Sequence, residues 1–155
     1  MTTNNAASTI TPPSHTRIAV VTGASAGIGE ATAKLLAADG WYVILAARRL
    51  EKLEEVAQDI AQEGGKATAL ALDVTDKASI DNFTAALAEL TGSKLDLLVN
   101  NAGGARGLDP VLEADPADWR WMFEANVMGT LEVTRALFDQ LKVTEAPQVV
   151  NVVSV

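Results

Sequence analysis

The chain has 155 residues, of which 48% are hydrophobic and 21% charged, and this composition is typical of one globular domain. A formal net charge of −8 argues against a nucleic-acid partner, and the absence of cysteine excludes disulfides and thiolate metal sites. Because His15 is the only histidine, we also expect no metal site.

Residues 1–16 form a polar segment that contains Pro12-Pro13 and lacks the basic start and apolar stretch of a signal peptide. We predict that 1–16 is a disordered leader and that 17–155 is one folded domain. No apolar run approaches the length that crosses a membrane, so we expect a soluble, cytoplasmic protein without a membrane partner.

The first predicted strand, Ile18 to Val21, leads into a glycine-rich turn with the spacing Gly-x-x-x-Gly-x-Gly. Gly23 would allow the sharp turn, Gly27 a close approach to a pyrophosphate, and Gly29 tight packing of a helix on the sheet. A strand, a glycine turn and a helix start together present free N–H groups to a phosphate. A plain tight turn is the alternative, because the spacing differs by one residue from Gly-x-Gly-x-x-Gly.

Strands and helices alternate through the rest of the chain. Apolar runs predict further strands over 42–47, 67–72, 95–99 and 149–155. Helical spacing predicts a first helix over 30–39 with its inward face at Ala31, Leu35, Leu36 and Ala38. The last helix would start at Asp115-Pro116 and turn one apolar face inward, formed by Trp119, Met122, Phe123, Val127, Leu131, Leu137 and Leu141. We predict an α/β fold, a Rossmann-type doubly wound parallel sheet of five strands in the order 3-2-1-4-5 with helices on both faces.

Asn100-Asn101-Ala102-Gly103 follows the fourth predicted strand and by itself indicates only a turn. Together with the glycine-rich turn, this motif resembles the short-chain dehydrogenases/reductases, and the resemblance extends over residues 17–155. It implies an NADP-dependent oxidoreductase that transfers a hydride between nicotinamide and a small alcohol or carbonyl substrate. It also implies that Thr22 hydrogen-bonds to the Asn-Asn-Ala-Gly motif. The residues that it places at the cofactor are Gly23, Ser25, Gly27, Ile28, Gly29, Arg48, Arg49, Asp73, Val74, Asn100, Ala102 and Gly103.

The end of the second predicted strand bears on the choice of cofactor. Ala47 stands where many NAD-binding domains place a carboxylate for the ribose, and Arg48 and Arg49 follow it. A guanidinium there suits a 2′-phosphate, and the resemblance implies that Ser25 touches the same phosphate. Alternatively, both arginines are simply solvated at a helix start. Asp73 would hold the adenine by resemblance, or belong to a helix-capping loop.

Asn126 and Ser154 are the predicted catalytic residues. By resemblance, the helix is locally opened at Asn126 so that its carbonyl holds a relay water, and Ser154 orients the substrate oxygen. The alternatives are a buried, fully hydrogen-bonded structural amide and an ordinary serine after a strand. The family's Tyr-x-x-x-Lys pair has no counterpart, because the only tyrosine is Tyr42. We therefore expect an incomplete chain that stops just after the catalytic serine and is inactive alone.

A narrower resemblance connects the chain with the branch that oxidises 3-hydroxy acids such as serine. It is carried by the segments 44–53, 71–76 and 100–110, and it would place Arg106 near a substrate carboxylate. Trp121 and Met128 give the last helix a second apolar side, which fits a homo-oligomer, a tetramer or dimer, when complete. The alternatives are a dinucleotide-binding module without turnover, a truncated product, or a flavodoxin-like domain, against which the Asn-Asn-Ala-Gly motif argues.

Overall fold

The computed structural model describes residues 16–107 and 109–153. All but the last residue of the predicted leader, and Ser154 with Val155, lie outside the described residues. In the part of the chain that is described, no helix is both long and apolar enough to cross a bilayer.

Five strands form one parallel sheet: β1 (Ile18–Thr22), β2 (Tyr42–Ala47), β3 (Lys66–Ala71), β4 (Leu97–Asn100) and β5 (Gln148–Asn151). Their order is β3-β2-β1-β4-β5, and every neighbouring pair is parallel. The predicted topology is therefore confirmed. The structure gives the central strands β1, β2 and β4 buried side chains throughout, whereas those of the edge strand β5 are exposed.

Five helices connect the strands: α1 (Gly27–Ala38), α2 (Leu50–Gln62), α3 (Lys77–Thr91), α4 (Pro116–Phe123) and α5 (Gly129–Leu141). A π-helical segment, Glu124–Met128, joins the last two and is called the π turn below. As predicted, Asp115 caps α4 by accepting a hydrogen bond from the Ala117 amide, and Gly92 ends α3 in a left-handed conformation.

The core has two layers, one on each face of the sheet. Ile18 and Val20 of β1 pack with residues of α3 and α5, whereas Ala19 and Val21 pack with α1 and α2. This alternation follows from the two-residue period of a strand, and it explains the continuous apolar runs.

The predicted inward face of the first helix was wrong. The helix begins at Gly27, and its buried residues are Gly29, Ala33 and Ala37. Leu35 is 73% exposed. Ala31 and Ala38 are also exposed, and Leu36 is only partly buried. Small residues at four-residue spacing face the sheet because α1 lies so close to it that leucines do not fit.

The predicted inward face of the last helix was wrong for its first half. Trp119, Phe123, Val127 and Leu131 are between 46% and 59% exposed, and Met122 is only partly buried. The buried residues are Ala125, Gly129, Val133, Leu137, Gln140 and Leu141. A Cβ on Gly129 would lie 2.8 Å from a methyl group of Val74, so close packing again selects a small residue.

Candidate functional site

A cleft of about 340 Å³ opens at the carboxyl edge of the sheet, where the segments after β1, β2, β3 and β4 meet. Open parallel sheets bind ligands at this edge. Eight of the predicted cofactor residues line the cleft: Gly23, Ser25, Arg48, Arg49, Asp73, Val74, Ala102 and Gly103. Gly27, Ile28, Gly29 and Asn100 are not part of its lining. The other residues that line it are Ala26, Ala47, Leu72, Thr75, Asn101, Trp121 and Ala125.

The glycine turn brings backbone amides to the cleft. Gly23 and Gly27 adopt φ values of 66° and 58°, which glycine reaches without strain. The side chain of Ala26, the residue before α1, makes no capping hydrogen bond, so no side chain satisfies the first amides of α1 there. Among the described residues, nothing lies within 4 Å of the place where a Cβ on Gly27 would be. The start of α1 is therefore open to a phosphate.

A hydroxyl bridge fixes the glycine turn to the segment after β4. The Thr22 Oγ1 accepts hydrogen bonds from the amides of Asn101 and Ala102, both at 2.9 Å. The Asn101 side-chain amide donates in return to the carbonyls of Thr22 at 3.1 Å and Gly23 at 3.4 Å. The predicted role of Thr22 as partner of this motif is confirmed, and two walls of the cleft are held at a fixed separation.

The two asparagines of the motif point in different directions. Asn100 is 4% exposed, and its amide donates to the Thr134 hydroxyl at 3.0 Å and to the Asn151 side chain at 2.9 Å. It therefore joins β4 to α5 and β5, whereas Asn101 reaches the cleft. Motif spacing does not single out Asn101, but the alternation of side chains along β4 is a signal that could have found it.

The segment after β2 brings positive charge to the cleft. Ala47 is buried, and no carboxylate occupies its place. Arg48 and Arg49 are both exposed, and a guanidinium nitrogen of Arg49 donates to the Ser25 hydroxyl at 3.4 Å. This contact spans from the end of β2 to the glycine turn, so the arginine and the serine can meet one anionic group together.

The Asp73 carboxylate faces the same end of the cleft and is part of a local turn. Its Oδ1 accepts from the amide of Thr75 at 2.9 Å and from the Thr75 hydroxyl at 2.7 Å. Its own amide donates to the Ser79 hydroxyl at 2.8 Å. Asp76, not Asp73, caps α3 by accepting a hydrogen bond from the Ala78 amide at 3.1 Å. Asp73 is therefore held in a fixed position without being the helix cap.

Asn126 lies in the π turn, and its expected burial was wrong because it is exposed. Its side chain exchanges two hydrogen bonds of 2.9 Å with the amide and carbonyl of Gly104. Its backbone carbonyl accepts from the Thr130 hydroxyl at 3.1 Å. The helix is therefore wider at this residue than an α-helix, and the amide side chain is fully paired by backbone rather than by a core partner.

Two further charged groups complete the surroundings of the cleft. The Arg106 guanidinium carbon lies 3.8 Å from the centre of the Trp121 ring, and Trp121 lines the cleft. Lys34 on α1 donates to Glu30 at 2.8 Å and to Asp59 of α2 at 3.0 Å, and these hydrogen bonds, chiefly the one to Glu30, raise its pKa. Within residues 16–107 and 109–153, no group of three His, Cys, Asp or Glu side chains is placed to hold a metal ion.

The family profile described as short chain dehydrogenase matches residues 17–155. The chain belongs to this family. An uncharacterized oxidoreductase of Mycobacterium tuberculosis is 50% identical over 125 residues, which are 81% of this chain and 46% of that protein. Sulfoacetaldehyde reductase 2 of Chromohalobacter salexigens is 38% identical over 89% of the chain and 54% of its own length. Serine 3-dehydrogenase of Agrobacterium fabrum is 37% identical over 88% of the chain and 53% of its own length.

Solved structures of the family share the fold. A metagenomic short-chain oxidoreductase in complex with NADP superposes with a TM-score of 0.83 at 34% identity, over 90% of this chain and 62% of that one. The closed form of serine dehydrogenase complexed with NADP+ gives a TM-score of 0.77 at 35% identity, over 86% and 52%. The chain thus spans about half the length of the curated relatives that it matches.

Proposed function

We propose that the chain binds NADP(H) and forms the cofactor-binding part of an oxidoreductase that acts on an alcohol or carbonyl compound. The observation that carries the proposal is the pair Arg48 and Arg49, which follows Ala47 and faces an open helix start across the Ser25 hydroxyl. When bound, the nicotinamide supplies or accepts the hydride. The NADP complexes of the related solved structures support this choice of cofactor.

The chain's own residues fit each part of such a dinucleotide. The uncapped amides at Gly27, Ile28 and Gly29 would bind the pyrophosphate, although these residues do not line the cleft itself. Arg49 and Ser25, with Arg48, would bind the 2′-phosphate. At the β3 end, Asp73 and Val74 would face the adenine. At the β4 end, Ala102 and Gly103 would face the nicotinamide, with Asn100 bracing the strand beneath them.

The substrate class proposed here is a small molecule whose reacting carbon is bonded to a carbon that carries, or leads to, an anionic group. Serine 3-dehydrogenase and sulfoacetaldehyde reductase 2 are named for substrates of this kind, one a carboxylate and the other a sulfonate. A 3-hydroxy acid, or the corresponding sulfonate, is therefore the proposed substrate.

The proposed proton path uses two residues of this chain. The Asn126 carbonyl in the π turn would hold a water molecule, since its helix is already widened there. Ser154, which lies outside the described residues, would orient the substrate oxygen. These 155 residues contain no Tyr-x-x-x-Lys pair, so we expect them to bind the cofactor without turning substrate over.

A second candidate function, a dinucleotide-binding module that acts without turnover, is favoured by that missing pair. The two candidates predict the same cofactor affinity and differ in catalysis by the whole protein. We also propose that the whole protein is a homo-oligomer. This proposal is supported by the exposed apolar residues Phe123, Val127, Leu131 and Phe138 along α4, the π turn and α5.

The test is an equilibrium titration of the chain with NADPH, followed by cofactor fluorescence, and a parallel titration with NADH. We expect NADPH to bind about tenfold more tightly, because the 2′-phosphate adds charge-assisted hydrogen bonds to arginine. Equal affinities for the two cofactors would contradict the proposed cofactor. Absence of binding by either would contradict the proposed function.

A further inference from the structure

We propose that Arg106, stacked on Trp121 at the β4 end of the cleft, determines substrate specificity by binding the anionic group of the substrate. This inference rests on the proposed function, since it assigns the residue that recognises the substrate class.

Arg106 is held between two fixed glycines. Gly104 exchanges two hydrogen bonds with the Asn126 side chain, which ties the segment after β4 to the π turn. Gly107 has a φ of 66°, and a Cβ there would lie 3.0 Å from the Asp118 carboxylate of α4. The backbone on both sides of Arg106 is therefore packed against the helix that forms the cleft wall, which places its side chain there.

The stacking leaves the binding edge of the guanidinium free. Its carbon lies 3.8 Å from the ring centre of Trp121, so the indole covers one face of the planar group. The N–H donors of arginine lie in that plane and point outward, in a fork that matches a carboxylate or sulfonate. The stack therefore orients the donors without using them.

The other arginine–tryptophan pair in the structure shows what a purely structural stack looks like. Arg17 lies 4.1 Å from the ring centre of Trp41 and also contacts the Asp39 carboxylate at 3.3 Å. Among the residues that the structure describes, no carboxylate lies within 4.0 Å of the Arg106 guanidinium. Arg106 is thus a stacked cation whose ion-pair position is open to a ligand.

The position of the stack separates it from the cofactor's proposed phosphate contacts. Arg48 and Arg49 follow β2, one strand away from the glycine turn on one side, whereas Trp121 shares the cleft wall with Gly103, which follows β4 on the other side. The proposed nicotinamide end, and hence the reacting carbon of the substrate, lies on the β4 side. In a chain with a net charge of −8, a cation at this point favours an anionic substrate over a neutral one.

The experiment follows the indole N–H signal of Trp121 by NMR in the ¹⁵N-labelled chain saturated with NADP+. The signal is assigned with a Trp121→Phe variant, and the ionic strength is held constant. The titrants are 3-hydroxypropionate, isethionate and the neutral 3-hydroxypropionamide, which matches the first in size. Arg106→Gln is compared with Arg120→Gln, which removes the same charge from an exposed position on α4.

We expect a saturable shift with both anions and none with the amide. Arg106→Gln should weaken the response about tenfold, which is the effect of losing one charge-assisted contact, and Arg120→Gln should leave it unchanged. A wild-type signal that ignores the anions, or an equal response in Arg106→Gln, overturns the inference. NADP+ binding, read from other signals in the same spectra, tests the proposed function separately. Loss of NADP+ binding in Arg106→Gln would assign the residue to the cofactor and also overturn the inference.

Discussion

The side chain of Asn126 and the backbone of Gly104 are joined by two hydrogen bonds of 2.9 Å, one in each direction. A primary amide satisfies a peptide group in the same way that a neighbouring strand would, so the segment after β4 gains a partner that the sheet does not give it. The π turn and the wall of the cleft are therefore one unit, and a change in either is expected to alter the other.

Replacement of Asn126 by alanine should release this segment. We expect the Gly104 amide to lose most of its protection from hydrogen exchange, and stability to fall by about 1 kcal/mol, because the pair is exposed to solvent. Asn82→Ala changes an exposed asparagine of α3 in the same way and should do neither. Unchanged exchange at Gly104 in the Asn126 variant would show that the pair does not hold the segment in solution.

Replacement of Thr22 by valine removes the acceptor shared by the Asn101 and Ala102 amides while keeping the side-chain shape. We expect a loss of about 2 kcal/mol in the free energy of unfolding, measured by urea denaturation, because two backbone donors lose their partner. Thr22→Ser keeps the hydroxyl and should retain most of the stability. If the valine and serine variants were equally stable, the hydroxyl bridge would not be what holds the two walls.

Glycines 29 and 27 should respond differently to alanine. A Cβ at Gly29 would collide with the Gly23 carbonyl and the Asn101 side chain, and we expect Gly29→Ala to cost about 3 kcal/mol in unfolding free energy. At Gly27 the space is open, so Gly27→Ala should cost only about 1 kcal/mol, from the left-handed backbone. Similar losses in the two variants, read from their urea midpoints, would contradict the packing argument.

Replacement of Arg49 by alanine should weaken NADPH binding about tenfold and leave NADH binding unchanged, because its guanidinium and the Ser25 hydroxyl would meet the 2′-phosphate. Arg48→Ala should act in the same direction. Arg135→Ala removes an arginine on α5 that contacts Glu132 and should change neither affinity. Fluorescence titration measures all three, and a loss of NADH binding equal to that of NADPH would assign Arg49 a structural role.

The sequence predicted the parts of the fold that depend on continuous patterns. β2 begins and ends where its apolar run does, because both of its faces are buried. The last helix starts at Asp115-Pro116 because the cap and the proline act locally. The strand order followed because parallel strands with right-handed crossovers allow few arrangements.

What the sequence could not predict depends on how closely elements approach. Leu35 was expected inside and Ala33 lies there instead, because the distance between α1 and the sheet is set by Gly29 and not by the largest apolar side chain. For the same reason Phe123 and Val127 are exposed while Ala125 and Gly129 are buried. Pattern rules rank residues by hydrophobicity, whereas a close helix contact selects them by size.

At the cleft, residues that follow strands were predictable and residues on helices were not. Gly23, Arg48, Asp73 and Gly103 each follow a strand end, and the topology brings those ends together. Trp121 reaches the cleft only because of how α4 lies across it, and no local spacing encodes that orientation.

The π turn also makes chain length a determinant of this helix. A π-helical segment accommodates one more residue than an α-helix of the same rise, and one residue corresponds to about 100° of rotation. Trp121 on one side and Val133 on the other are therefore in phase with their different surroundings only when that additional residue is present. A single-residue deletion within Glu124–Met128 would rotate the two halves out of phase, however conservative its chemistry.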